Sequence, residues 1–168
     1  HVCALTQLKD VFCWGLNHHG ELGTGTIGIE TIPQKVSLKN VRSISTSDFS
    51  SCAVTEKNNL YCWGKSPGIF KPFSYDIVKS PKLVEVGVEQ CFPGFNFIFV
   101  KNTDQTFSCW GSNGGGELGL GAEQNGYEEK KYFQFPGKVK ALKVSSSSAC
   151  VLFEDGSISC TGSNVYGQ

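Results

Sequence analysis

At 168 residues and 18.2 kDa the chain has room for one domain or slightly more, and 39% hydrophobic with 12% aromatic residues supplies a core, which excludes wholesale disorder. Fifteen basic residues balance fifteen acidic ones, so no net field attracts nucleic acid or an anionic membrane. No apolar run approaches the roughly 20 residues of a spanning helix, and 20 glycines with no methionine favour short strands and turns over helices.

Taken in chain order, the first feature is a hairpin around Gln7–Asp10, flanked by Cys3 and Cys13. It leads into Trp14-Gly15-Leu16-Asn17-His18-His19-Gly20-Glu21-Leu22-Gly23. Residues 41–45 alternate and are read as a strand, residues 51–55 as a second, 56–59 as a turn, 60–63 as a third strand and 81–86 as a short fourth. The phrase of residues 14–23 returns at Trp110-Gly111-Ser112-Asn113-Gly114-Gly115-Gly116-Glu117-Leu118-Gly119. Residues 141–145, 149–153 and 157–160 repeat the strand order, with Asp155-Gly156 as a strong hairpin turn. Cys13-Trp14-Gly15, Cys62-Trp63-Gly64 and Cys109-Trp110-Gly111, with a worn copy at Cys160-Thr161-Gly162, recur every 47 to 51 residues. Each unit of about 49 residues reads as a four-stranded antiparallel meander, the size of a propeller blade. The expected blades are residues 1–40 (partial), 41–87, 88–138 and 139–168 (partial).

Eight cysteines add a constraint. Cys3 and Cys13, Cys52 and Cys62, and Cys150 and Cys160 are each ten apart, and each pair is centred on its own hairpin turn. Opposed positions of an antiparallel pair come within about 4.5 Å, close enough for a bridge. Three hairpin disulfides are therefore expected, and with them an oxidising compartment. The third unit departs from this: Ile98 or Phe99 stands in place of its first cysteine and Cys91 lies one strand earlier. Pairing of Cys91 with Cys109 stays open, since it would have to skip a strand.

The run His1-Val2-Cys3-Ala4-Leu5, residues 11–23, Tyr61-Cys62-Trp63-Gly64 and residues 107–119 together resemble the regulator of chromosome condensation repeat family, with Glu21 and Glu117 in place of the family's glutamine. The resemblance implies an all-β fold and a propeller of about seven blades. The 168 residues hold about 3.4 units, which reads as a segment of a longer protein or, less simply, as a chain that closes its ring with another copy. The resemblance also implies action by binding. Family members include a nuclear nucleotide exchange factor, a secreted β-lactamase inhibitor and crinkly-type receptor ectodomains, and the paired cysteines look most like the secreted and ectodomain members.

Candidate sites are few. Trp14, Trp63 and Trp110 recur at one point of the unit and are expected between blades. The phrase glycines serve turns, because no strand-to-helix setting supports a phosphate loop. His18-His19 lacks a third metal ligand and is read as a solvated turn, while His1 is read as structural. No nucleophile elbow or paired carboxylates appear, so no catalytic residue, metal or cofactor is assigned. Departures from the repeat, residues 65–75 and 122–136, carry aromatics among charges. From these, Phe70, Phe73, Tyr75, Tyr127, Tyr132 and Phe133 are the candidate partner-binding residues. The sequence thus predicts a non-enzymatic, secreted or cell-surface module that binds a protein. A regulator or inhibitor of an enzyme is the alternative, and nucleotide exchange is a more distant one.

Overall fold

Hydrogen bonding in the chain, a computed structural model that describes residues 1–70, 76–121, 126–165 and 167, follows sequence order throughout. The first sheet holds β1 (Val2–Leu5), β2 (Val11–Asn17) and β3 (Gly28–Lys35). The second holds β4 (Val41–Thr46), β5 (Ser50–Thr55), β6 (Asn59–Gly64) and, after a short helix α1 (Pro67–Phe70), β7 (Val78–Val86). The third is β8 (Val88–Pro93), β9 (Phe97–Asn102), β10 (Phe107–Ser112) and β11 (Tyr127–Phe133). The fourth is β12 (Val139–Val144), β13 (Ser148–Phe153) and β14 (Ile158–Gly162). Each strand pairs antiparallel with its successor within the sheet, so every sheet is a simple meander. No helix among the described residues is long and apolar enough to cross a membrane.

The inner strands of the second and third sheets are buried on both faces because each of these two sheets packs against two neighbours. In β9, Phe97 and Phe99 join the core shared with the fourth sheet, while Ile98 and Val100 turn to the core shared with the second. Three interfaces result. Val11, Cys13, Leu22, Ala53 and Trp63 fill the first, Val54, Leu60, Val88, Ile98 and Trp110 the second, and Phe97, Phe99, Leu142, Val151 and Phe153 the third. Polar ties cross between the inner strands. The Arg42 guanidinium donates to the carbonyls of Val88 (3.1 Å) and Glu89 (2.6 Å), and the Ser45 hydroxyl donates to the Cys91 carbonyl (3.1 Å).

The cysteines follow the register. Cys3 faces Cys13, Cys52 faces Cys62 and Cys150 faces Cys160, each with Cα atoms 4.1 Å apart and each bridged. In the third sheet Phe99 is the residue opposite Cys109. Cys91 lies on β8, separated from β10 by β9, and the two cysteines face different cores. Both are buried free thiols, which closes the question of their pairing. Burial pushes Cys91 up to about 12, and burial with the nearby Glu128 carboxylate does the same for Cys109.

The Trp-Gly dipeptide has a steric cause. Gly64, Gly111 and Gly162 take φ of 98°, 112° and 109°. A Cβ on any of them would lie within 2.4 Å of the carbonyl oxygen of Phe49, Asn96 or Ser147 respectively. The third strand of each of these blades therefore passes tightly under the loop between its first two strands, and only glycine fits.

Candidate docking face

The β4–β5, β8–β9 and β12–β13 connections leave the same end of their sheets as the β2–β3, β6–β7 and β10–β11 connections. The hairpin turns carrying Asn58, Gln105 and Gly156 emerge from the other. The phrase W-G-x-N-x-x-G-E-L-G builds the larger of these loops. The Asn17 side chain is fully buried; its Nδ2 donates to the Thr26 carbonyl (3.0 Å) and its Oδ1 accepts from the Leu22 amide (3.0 Å). Asn113 does the same with Gly121 (3.2 Å) and Leu118 (3.0 Å). Each asparagine holds its loop closed and drives the phrase's leucine into the next interface.

The phrase also docks onto the next blade. The Glu21 carbonyl accepts from the Trp63 indole N–H (2.7 Å) and from the Ser51 hydroxyl (2.9 Å). The His1 ring and the Ser51 hydroxyl share a further hydrogen bond of 2.9 Å, which gives His1 an interblade role. Trp63 is fully buried and Trp110 nearly so, its N–H donating to the Ile69 carbonyl (3.2 Å), whereas Trp14 is half-buried on the first sheet.

His19 departs from the solvated turn expected of it. Its amide and ring both bond to the buried Glu21 carboxylate (2.8 and 3.2 Å), and the ring lies 4.8 Å from that of Phe49. Phe49 in turn meets Phe95 edge-on at 5.7 Å. These three rings come from loops of three successive sheets and form one strip. Phe49 and Phe95 remain 38% and 39% exposed, although both sit among hydrogen-bonded loops. The Lys65 amide donates to the Phe49 carbonyl (2.8 Å), the Phe95 amide to the Ser146 carbonyl (3.2 Å), and the Ser146 hydroxyl to Asp48 (2.8 Å). Apolar rings held open to solvent on a fixed frame are what an interface needs at low ordering cost.

The residues singled out from sequence are not brought together. Phe73 and Tyr75 lie outside the described residues. Phe70 packs against the second interface. Phe133 packs on Phe99, Phe107 and Phe135, because alternation along β11 turns it inward. Tyr127 is near the loop end of β11, its hydroxyl donating to the Gly68 carbonyl (3.4 Å). Tyr132, 66% exposed, is near the opposite end beside Lys130, whose ammonium lies 4.7 Å from its ring and bonds to Glu85. Burial opposes the Lys130 charge, but Glu85 and Tyr132 outweigh it and hold the ammonium above its ordinary range. Among the described residues no three His, Cys, Asp or Glu side chains converge to hold a metal.

Two segments match regulator of chromosome condensation repeat models, residues 10–54 and residues 139–168. The chain therefore carries repeats of the regulator of chromosome condensation type. This RCC1-repeat chain is 26% identical over its whole length to the mitochondrial RCC1 domain-containing protein RUG3 of Arabidopsis thaliana, covering 41% of that protein. Over 69 residues it is 41% identical to Ras guanine nucleotide exchange factor C of Dictyostelium discoideum, covering 39% of the chain and 5% of the relative. Human WBSCR16 superposes with a TM-score of 0.80 at 23% identity, over 98% of this chain and 46% of that one. Yeast RCC1 (Prp20), solved with Kap60, gives 0.80 at 19%, over 95% and 39%. The ectodomain of the Arabidopsis thaliana receptor kinase ACR4 gives 0.53 at 18%, over 95% and 48%. The RCC1-repeat chain thus spans less than half the length of each of these proteins, and its four sheets are a propeller segment.

Proposed function

We propose that this RCC1-repeat chain is a non-catalytic protein-recognition module that binds its partner through the loop-bearing face, with His19, Phe49 and Phe95 at the centre of the contact. The strip of exposed rings on hydrogen-bonded loops carries the reading, since large apolar rings held open to solvent on a fixed frame suit a contact surface. The module works outside the cell. Three cystines persist in an oxidising environment, and the likeness to a plant receptor ectodomain supports the same placement.

Regulation of an enzyme is the second reading. It is favoured by the local likeness of 41% to a Ras guanine nucleotide exchange factor, which makes a small GTPase the partner class to test under it. One experiment addresses both. A photo-crosslinking residue is placed at exposed His18 on the loop face, and in a second protein at exposed Lys57 on the opposite face. A protein is expected to crosslink from position 18 and not from position 57, and the Phe49→Ser/Phe95→Ser variant is expected to lose it while its melting is little changed. Equal capture from both positions, or capture indifferent to the double substitution, refutes the proposal.

A further inference from the structure

The repeat places one residue of each third strand at the same interblade position. In the register these are Trp63 opposite Ser51, Trp110 opposite Ile98 and Thr161 opposite Ala149. At the first interface the indole fills the gap and lies over Gly23, so closely that a Cβ there would stand 2.7 Å from its nitrogen. At the second interface Trp110 fills the gap. At the third, threonine replaces the ring, yet the wall that would receive it is kept: Leu118 and Gly119 stand where Leu22 and Gly23 stand in the first.

What remains is a cleft of about 390 Å³, walled by Leu118, Phe133, Phe135, Val151, Phe153 and Thr161. It opens to solvent beside β14, where Ser159 and Cys160 are exposed. Among the described residues no charged side chain lines it. The Thr161 hydroxyl is already committed, donating to the Gly116 carbonyl (2.5 Å). Its volume falls within the roughly 300–1,000 Å³ of small-molecule sites. An apolar cavity left by a missing ring binds an apolar guest in preference to water.

We infer that this cleft between the third and fourth sheets is a binding site for a neutral aromatic molecule of one or two fused rings, which takes the place the repeat elsewhere gives to its own tryptophan. The ligand's flat face lies against Gly119, and the ring edges meet Phe133, Phe135 and Phe153. Such a molecule would join two sheets that share the most aromatic of the three interfaces, and so would couple a small ligand to the geometry of the loops above it.

Fluoroindole followed by fluorine NMR tests the site on the intact chain. The wild-type protein is expected to broaden and shift the ligand signal with saturation below millimolar concentration. Thr161→Trp refills the cleft from within; it is expected to weaken binding at least tenfold and to raise the denaturation midpoint. Ala149→Leu narrows the same cleft and is expected to weaken binding at least tenfold, so it decides the matter should the tryptophan variant fail to fold. No saturable binding up to millimolar fluoroindole overturns the inference. Undiminished binding to a folded Thr161→Trp or Ala149→Leu variant does so equally.

Discussion

Replacing Gly23 with alanine probes the joint between blades at its tightest point. Gly23 has φ of 70°, a backbone that costs an L-residue roughly 1–2 kcal/mol. Its new Cβ would meet the Trp63 ring at 2.7 to 2.9 Å, so the fully buried indole has to shift. That movement breaks the N–H bond to the Glu21 carbonyl, and leaving a buried donor unsatisfied costs about 1–3 kcal/mol. The expected loss is about 3 kcal/mol. Gly116 supplies the control: φ is 76°, but a Cβ there would have nothing within 4 Å. Gly116→Ala therefore costs only the backbone part, about 1 kcal/mol. Urea denaturation followed by circular dichroism measures the difference, and the indole N–H resonance of Trp63 should shift in the first variant alone. Equal losses in the two variants, or an unmoved Trp63 resonance, would refute the steric account of the repeat's final glycine.

Three further outcomes are expected. Asn17→Ala removes both bonds that close its loop, costs about 2 kcal/mol, and exposes the Leu22 amide to rapid hydrogen exchange while amides in β13 stay protected. Iodoacetamide at pH 8 is expected to leave Cys91 and Cys109 unmodified in the folded protein and to label both in urea without reductant; mild reduction should open Cys150–Cys160, whose Cys160 is exposed, before the fully buried Cys52–Cys62. The same two thiols give a pH dependence. Below the ordinary value of 9.0 they are protonated in both states and stability is level, but as pH rises from 9.0 towards about 12 the unfolded chain releases protons that the folded chain retains. Stability should then fall by about 1.4 kcal/mol per pH unit for each thiol, and Cys91→Ala should halve that part of the slope in alkaline denaturation.

Much of the architecture was legible because it repeats. The strand order, the hairpin centres and the facing cysteines all follow from period and register, and β-meanders leave few alternatives once the turns are placed. The third sheet was harder: spacing could not decide between Ile98 and Phe99, since both are apolar and a shift of one residue exchanges faces. The strip of rings was illegible for a different reason. Phe49 and Phe95 sit in short loops 46 residues apart and belong to no shared motif, and His19 aligns with Gly115, so nothing in the chain order announces that their rings meet. Single large apolar residues in tight turns were the available signal, and it was weaker than the aromatic run of residues 127–135. That run misled because Phe133 and Phe135 serve the core.

The three cystines join adjacent strands within the first, second and fourth sheets, so covalent bonds strengthen those blades but leave the seams between blades to packing and hydrogen bonds. Pulled from its ends, such a chain would come apart blade by blade at the seams, and each cystine would withhold its hairpin from extension. For the sheet from Val41 to Val86, with residues 52 and 62 joined and their Cα atoms 4.1 Å apart, the contour released on rupture should fall short of the full strand length by about 30 Å. Addition of reductant should restore that length, a signature readable one molecule at a time.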